Sequence, residues 1–425
     1  MNNILEGKRL LILGGTTLMI HVVETAKKMG VFTIVTDVDP NSPAKLYSDL
    51  AFNISTGNID ELYNLCINER VDGVFTGYED FNTSVACELC SMLNKPFYAT
   101  KEQIELTKNK INFKEICKRF GVPVVKEFQE NENVVFPVVT KPADSYSGKG
   151  ISICITKEEL MKGIDFALKY SKSSQYLLEK FMDSHSVECI NIDYLIRDGE
   201  IKLTAVGDKY VNDEQGNKTP LTSAVMYPSI RQEEYVNTLD EKVKKMFNFL
   251  GLRNGTLFIE SFYDEDGFHF YEMGYRVGGG QSSILLDRIN GVDYVRMLIS
   301  YALSGEMCSD EIFKNISFQF PNIACSLVLL MKDGIVNKVE GLDTILQNKD
   351  VVKYTQFFKI GEGLAAEYVG TLGQVFARIH IVSDNMEAFT KTLDDIRDNL
   401  RVYDINNNNL LLSVVCDKMK NRLSI

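Results

Sequence analysis

The sequence LFIESFYDEDGFHFYEMGYRVGGG, from Leu257 to Gly280, contains a clear structural pattern. Two runs in it, 256–263 and 268–273, are rich in aromatic and β-branched residues. The four residues between them, Asp-Glu-Asp-Gly, end in Gly267, which can adopt the positive φ that a tight turn requires. The pattern predicts a β-hairpin.

Each predicted strand carries one glutamate in an apolar setting. Pairing the strands about the turn places Glu260 opposite Tyr271 or Glu272, so the two carboxylates are expected to be neighbours. Two like charges held close in a half-buried sheet are costly unless a cation lies between them. Mg²⁺ bound together with a nucleotide phosphate is the usual solution. The alternative is a surface hairpin whose acids point to water.

Three further residue types accompany the acids. Arg276 follows Glu272 by four residues, and the glycines 278–280 would let the backbone approach a ligand. His269 lies on the second strand at an odd offset from Glu272, which predicts that its side chain points to the opposite face. We therefore interpret His269 as structural.

The whole chain has the composition of an ordinary globular protein. It contains 425 residues, enough for about two to four domains, with 45% hydrophobic and 24% charged residues. The net charge of −12 argues against a nucleic-acid partner, which would require a basic face. It does not exclude ATP, because a few local lysines can hold phosphates in an acidic protein.

The cysteines and the apolar segments indicate a cytoplasmic location. Of nine cysteines, only Cys87 and Cys90 have CxxC spacing, with no second pair and no nearby histidine. We expect all nine to be thiols in a reducing compartment. No signal peptide and no apolar run of membrane-spanning length is recognisable, so no membrane partner is expected.

The first hundred residues alternate between strands and helices, which predicts a parallel sheet with right-handed crossovers. Strands are expected at 9–13, 31–36, 51–55 and 73–76, and helices after 17 and at 59–70 and 83–93. Gly14 and Gly15 end the first strand, but the next glycine is Gly30. That spacing does not match a dinucleotide-binding turn, so an oxidoreductase is a distant alternative.

The middle of the chain contains two lysine-bearing features. A single helix is expected over 100–120, with Lys110, Lys114 and Lys118 on one face, and a solvated basic face is its simplest interpretation. Strands at 136–141 and 151–155 flank a small polar loop, 141–150, that could close over phosphates. A strand at 175–181 then ends this small module and carries the polar pair Glu179 and Lys180.

The segment 209–229 is expected to be either a mobile loop that faces the substrate or an ordinary exposed turn. A long helix is expected over 234–250. The C-terminal part of the chain is expected to form a series of short strands with one helix at 386–400.

This ordered set of features resembles the ATP-grasp superfamily, especially its branch of carboxylate–amine ligases and biotin-carboxylase-like enzymes. The similarity extends over nearly the whole chain. It implies an α/β and α+β multidomain fold: a Rossmann-like domain (1–105), a linker helix with the small ATP-grasp lobe (106–181), a large lobe with the nucleotide and metal site (182–315) and a small α+β domain (316–425).

The resemblance also implies roles for individual residues. Phosphate contacts would come from Lys110, Lys141 and the closing loop Ser147, Gly148, Lys149 and Gly150. Adenine and ribose contacts would come from Glu179, the backbone of Lys180 and Phe181, and Glu188. Glu260 and Glu272 would bind Mg²⁺, with Mn²⁺ as a substitute, and Arg276 would steady the transferring phosphate beside the catalytic Lys141.

One position departs from the family pattern. Gly274 stands where the family commonly has an asparagine that supplies an oxygen ligand. Water could replace that ligand, because Mg²⁺ normally keeps several waters.

The implied chemistry is transfer of the γ-phosphoryl group of ATP to a small carboxylate, followed by attack of an amine on the acyl phosphate. One alternative is a carboxylase of the same fold that uses bicarbonate. Another is a non-catalytic nucleotide-binding module, which the irregular Gly274 and Glu188 positions would favour. A homodimer is plausible by resemblance, and the sequence names neither the acid nor the amine.

Overall fold

The structure is a computed structural model that describes residues 5–129, 134–145, 148–184, 186–212, 220–414 and 419–420. The predicted loop residue Ser147 and the segment 213–217 lie outside these ranges.

The chain begins with a parallel sheet between helices. Its elements are β1 (Arg9–Leu13), α1 (Met19–Lys28), β2 (Phe32–Thr36), β3 (Leu50–Phe52), α2 (Ile59–Asn68), β4 (Gly73–Phe75) and α3 (Asp80–Leu93). The strand order is β3-β2-β1-β4, so β2 and β3 are added on one side of β1 and β4 on the other. The loops after β1 and β4 therefore lie side by side at the carboxyl edge, where such sheets bind ligands. The Rossmann-like fold predicted for this region is confirmed.

The predicted single helix over 100–120 was wrong, because the chain forms two helices, α4 (Lys101–Lys108) and α5 (Lys110–Arg119). Asn109 between them has an extended backbone, and its side chain accepts hydrogen bonds from the amides of Ile111 and Asn112. This N-cap satisfies donors that a helix start leaves unpaired. As a result, Lys110 is the first residue of a helix.

A small antiparallel sheet follows, with strand order β6-β5-β7. It contains β5 (Val138–Pro142), β6 (Ser152–Cys154), α6 (Lys157–Tyr170) and β7 (Tyr176–Lys180). Its core is separate from the others and is built around Phe128, Val138 and Leu178. A lobe with its own core can move as a unit relative to its neighbours.

An eight-stranded antiparallel sheet forms the body of the molecule. In spatial order its strands are β12 (Gly267–Gly274), β11 (Gly255–Asp264), β8 (Glu188–Arg197), β9 (Glu200–Asn212), β10 (Leu221–Tyr227), β13 (Ile323–Leu330), β18 (Val375–Ser383) and β16 (Val351–Gln356). The C-terminal strands thus extend the same sheet across the predicted boundary at residue 316. The prediction of a loop over 209–229 was wrong at both ends, because β9 extends to Asn212 and β10 begins at Leu221.

The remaining elements cover this sheet or its C-terminal end. They are α7 (Gln232–Tyr235), α8 (Glu241–Phe249), α9 (Ser282–Asn290), α10 (Tyr294–Ser304), α11 (Asp310–Lys314), β14 (Gly334–Ile335), β15 (Lys338–Glu340), α12 (Leu342–Leu346), β17 (Gly363–Leu364), α13 (Met386–Asn399) and β19 (Arg401–Tyr403). A five-residue π-helical turn joins α7 to α8, so the predicted helix over 234–250 is present with one irregular turn.

Two expectations about the bulk of the chain can be compared with the structure. Within the described ranges, no helix combines the length and the apolar character needed to cross a membrane. The eight cysteines that lie there are free thiols. Burial raises the pKa of Cys87 to about 11 and that of Cys90 to about 12, so the CxxC pair is unreactive near neutral pH.

Candidate functional site

The hairpin of β11 and β12 places its two glutamates directly opposite each other. Glu260 pairs with Glu272, and a β-bulge at Tyr271 follows. The extra residue reverses the alternation of faces along β12. His269 pairs with Phe262 and so shares a face with the two acids. The prediction that it points to the other face was therefore wrong, although its ring bonds to Asp264 at the hairpin end, 2.7 Å away.

Each glutamate has a lysine nearby. Lys209 Nζ lies 2.8 Å from Glu260 Oε2, and the Tyr271 hydroxyl donates to the same oxygen. Lys110 Nζ lies 3.9 Å from Glu272. Burial would raise the pKa of Glu260, but Lys209 and Tyr271 outweigh burial and lower it. Glu260 is therefore ionised at neutral pH.

The acid pair fits a hard divalent cation. Two carboxylates on adjacent strands face each other, and each forms an ion pair with one lysine. Within the residues described, no group of three or more His, Cys, Asp or Glu side chains could hold a metal. Water and nucleotide phosphates would have to supply the other ligands, as is usual for Mg²⁺.

The environment of Gly274 explains why asparagine is missing there. Gly274 pairs with Phe258, and a Cβ added to Gly274 would lie 2.2 Å from Cε1 of that ring. The ring also lies under the Arg276 guanidinium, 4.9 Å from it. The phenylalanine thus takes the space of the missing side chain and supports the arginine.

Changing Gly274 to asparagine is expected to destabilise the protein by about 1–3 kcal/mol, because it overpacks the space that Phe258 fills. The cost should be much smaller in a Phe258→Ala background, where the ring is absent. Urea unfolding of the two single variants and the double variant measures the coupling. Gly279→Asn is the matched control, since a Cβ there would meet no atom within 4 Å. Equal costs at the two glycines would contradict this account.

The second group of predicted residues forms a buried ion cluster. Glu179 Oε2 lies 2.7 Å from Lys141 Nζ, and its other oxygen contacts Lys114. Lys141 also lies 5.9 Å from the ring centre of Tyr271, which connects the cluster to the acid pair. Burial would raise the pKa of Glu179, but the two lysines outweigh it and lower the pKa. Lys114 is fully buried, so the interpretation of a solvated basic face was wrong for it.

The loop between β5 and β6 lies against α5. Lys110 Nζ donates to the Ser145 carbonyl at 3.0 Å, and the Lys110 amide donates to Ala143. Gly148 and Gly150 have positive φ of 73° and 83°, which glycine tolerates best. Lys110 therefore connects the base of this loop with Glu272.

Two assignments are less favourable than the resemblance implies. The amides of Lys180 and Phe181 already donate to Lys126 and Pro137, so only their carbonyl oxygens remain to contact adenine. Glu188 forms a two-pronged ion pair with Arg231, at 2.6 and 3.1 Å. A ribose bound to Glu188 would have to share that carboxylate.

Arg276 is held by a residue at the start of α3, which packs with the N-terminal parallel sheet. Its Nε and Nη2 donate to the two oxygens of Asp80, at 2.6 and 3.0 Å, and Nη1 donates to the Val277 carbonyl. Asp80 begins α3, immediately after the loop that follows β4. The pair is largely buried and joins α3 to the segment after β12 at the site.

Sequence reasoning missed Lys114, Tyr271 and Asp80, and it gave Lys209 little weight. The four-residue spacing of Lys110 and Lys114 was the available signal for Lys114. Nothing local indicated Asp80, because it lies 196 residues from Arg276.

Comparisons with known proteins agree with this architecture. The family described as D-ala D-ala ligase C-terminus matches residues 118–298. The 2-oxoglutarate carboxylase small subunit of Hydrogenobacter thermophilus is 24% identical over 357 residues, covering 75% of this chain and 71% of the relative.

Solved structures show the same fold. An L-amino acid ligase from Bacillus licheniformis superposes with a TM-score of 0.76 at 19% identity, covering 94% of this chain and 99% of the other. The biotin carboxylase domain dimer of the Hydrogenobacter thermophilus 2-oxoglutarate carboxylase, solved with MgADP and bicarbonate, gives a TM-score of 0.74 at 18% identity, covering 98% and 94%. Residues 118–298 therefore match a ligase family, and the chain shares its fold with these solved ligase and carboxylase structures.

Proposed function

We propose that the protein is an ATP- and Mg²⁺-dependent ligase that activates a small carboxylate as an acyl phosphate and couples it to an amine, releasing ADP and phosphate. The observation that carries the proposal is the opposed pair Glu260 and Glu272, with Lys110 beside it and the buried Lys141 cluster next to it.

The chain's own residues have distinct parts in this proposal. Lys110 and Lys141 would bind the phosphates, and Glu179 holds Lys141 in place through an ion pair. The loop 148–150 would close over the phosphates and exclude water. Mg²⁺ on Glu260 and Glu272 would neutralise charge on the phosphate oxygens during transfer. These contributions position the reactants and stabilise charge, which is what phosphoryl transfer requires of a protein.

Arg276 would bind the transferring phosphate and then the acyl phosphate. The Asp80 carboxylate accepts hydrogen bonds from Nε and Nη2 of Arg276. These two bonds fix the plane of the guanidinium group. A fixed guanidinium can stabilise the transition state without reorganising first. Asp80 is therefore proposed as a positioning residue, supplied by the N-terminal domain.

A screen of organic acids against amines tests the proposal. Purified protein with ATP and Mg²⁺ should release ADP and phosphate only when a suitable acid and a suitable amine are both present. Release with bicarbonate and no organic acid would identify a carboxylase instead. ATP binding without turnover on any acid would identify a non-catalytic module.

The proposal also includes a cellular location and an oligomeric state. The free thiols and the use of ATP favour the cytoplasm. A homodimer is proposed because the neighbouring biotin carboxylase domain is described as a dimer, and light scattering after size exclusion would measure the mass.

A further inference from the structure

One row of side chains crosses three strands of the large sheet at the proposed metal site. Glu272 on β12 pairs with Glu260 on β11, and Glu260 pairs on its other side with Asn191 on β8. Residues directly opposite each other on adjacent strands point to the same face, with Cβ atoms about 4.5–5.5 Å apart. The side chain next to the two acids is therefore an amide, whose oxygen can bind a cation.

The hydrogen bonds of Asn191 orient its amide group. Nδ2 donates to Asp193 Oδ2 at 2.9 Å and to the Tyr227 hydroxyl at 3.4 Å. The partner of Asn191 on β9 is Gly207, and the Tyr227 ring covers it, because a Cβ added to Gly207 would lie 2.5 Å from Cε1 of that ring. The NH₂ group thus points toward the β9 side, and Oδ1 is left on the side of Glu260.

Two oxygen atoms of this row remain available to a metal ion. Lys209 and Tyr271 both donate to Oε2 of Glu260, and no residue that the structure describes donates to its Oε1. In the same part of the chain, Asn191 Oδ1 accepts no hydrogen bond either. Together with the Glu272 carboxylate, the row therefore offers oxygen atoms from three neighbouring side chains. Carboxylate and carbonyl oxygens are the ligands that suit Mg²⁺ and Mn²⁺.

The same row shows how the site can do without an asparagine at position 274. Gly274 has no space for a side chain while the Phe258 ring lies against it, so the ligand that the resemblance implies is missing from β12. Asn191 carries the same amide group and lies on the other side of Glu260. An amide oxygen is thus brought to the acid pair from β8 instead of β12.

We propose that Asn191 is a direct ligand of the metal ion and replaces the asparagine that the chain lacks at position 274. The inference rests on the proposed function and adds a third protein oxygen to those of Glu260 and Glu272. Asp193 has a supporting part, because its hydrogen bond with Nδ2 holds the amide in the orientation that presents Oδ1. Partners of this kind commonly orient metal ligands.

Binding of Mn²⁺ in the presence of ADP tests the assignment without turnover. The EPR signal of Mn²⁺ in solution measures the unbound ion as protein and ADP are added. Asn191→Leu removes Oδ1 and should weaken Mn²⁺ binding by at least about 10-fold, because even a contact that only supports a metal ligand is typically worth that much. Asn64→Leu makes the same change at an exposed position of α2 and should bind Mn²⁺ as the wild type does.

An amide restored at position 274 should compensate for the loss of Asn191. In a background that combines Phe258→Ala with Gly274→Asn, the space of the ring is open and the amide returns to β12. Asn191→Leu should weaken Mn²⁺ binding much less in this background than in the wild type, because the two asparagines have the same role and their effects are not additive. An equal loss in both backgrounds would overturn the replacement.

A thiol at position 191 gives a readout that a purely structural role would not change. Thiolate ligands favour softer cations than Mg²⁺ or Mn²⁺, so Asn191→Cys should bind Cd²⁺ in preference to Mn²⁺ when ADP is present. Asn64→Cys should not. Cysteine is smaller than asparagine, so this variant serves as the test if Asn191→Leu does not fold. Weaker Mn²⁺ binding without a preference for Cd²⁺ would place Asn191 outside the coordination shell and overturn the assignment.

Other outcomes separate this inference from the function that it extends. Wild-type affinity for Mn²⁺ in Asn191→Leu would reject the ligand and leave the ligase in place. No binding of Mn²⁺ by the wild-type protein with ADP would reject the ligand together with the metal site. Weakened Mn²⁺ binding in Asn191→Leu, combined with no ADP release on any acid and amine, would sustain the ligand and reject the ligase.

Discussion

Replacing Glu272 with glutamine should lower kcat by about 100- to 1,000-fold, with little change in stability. Glutamine keeps the shape of the side chain but removes one of the two proposed anionic metal ligands. Metal-ion stabilisation of transferring phosphates is worth several kcal/mol, and each factor of ten in rate corresponds to about 1.4 kcal/mol. The long 3.9 Å contact with Lys110 is the only ion pair that Glu272 makes among the described residues, so the folded state loses little.

ADP release at increasing Mg²⁺ concentration, with the acid and amine found in the screen, measures this effect. A higher Mg²⁺ requirement should accompany the lower kcat. Glu265→Gln is the matched control, because Glu265 is exposed at the turn of the same hairpin and should leave both values unchanged. Full turnover by Glu272→Gln would refute the metal assignment.

Replacing Glu179 with glutamine should destabilise the protein by about 3–5 kcal/mol at pH 7, because two buried lysines lose their shared carboxylate. Glu179 is 4% exposed and contacts Lys141 and Lys114. Urea unfolding measures the change. Glu115→Gln, at an exposed pair with Lys118, should change stability by less than about 0.5 kcal/mol.

The effect of Glu179 should depend on pH in a definite direction. Its pKa in the folded protein lies below the ordinary value, which is about 4.3 in an unfolded chain. Its stabilisation is therefore fully present above that ordinary value and is lost as the pH falls through the lower, folded pKa. The difference between wild type and Glu179→Gln should shrink in acid. A difference that stayed constant down to pH 3 would show that shape, not charge, is responsible.

Local patterns in the sequence were sufficient for the hairpin, because alternation and turn chemistry act over a few residues. They placed Glu260 opposite Tyr271 or Glu272, and the observed partner is Glu272. They could not reveal the bulge at Tyr271, whose single extra residue brings His269 to the face of the acids. A bulge depends on how both strands pack in the sheet, and the sequences of the two strands alone do not predict that packing.

Other features depend on contacts between distant segments. The spacing of Lys110 and Lys114 predicted that both lysines lie on one face of the helix. It did not predict that Lys114 would be buried in an ion pair with Glu179. The pairing of Arg276 with Asp80 joins residues that lie 196 positions apart in the sequence. The pairing of β10 with β13 likewise joins parts of the chain that the sequence suggested were separate.

The junction of β10 and β13 has a consequence for any shortened form of the protein. A chain that stopped at residue 315, the boundary expected from the sequence, would retain β10 but lose β13, β18 and β16. Backbone groups of β10 that now bond to β13 would face water along an open edge. Such an edge is a template for a strand of another molecule. A truncated protein would therefore be expected to associate edge to edge, and its self-association would say nothing about the state of the full-length chain.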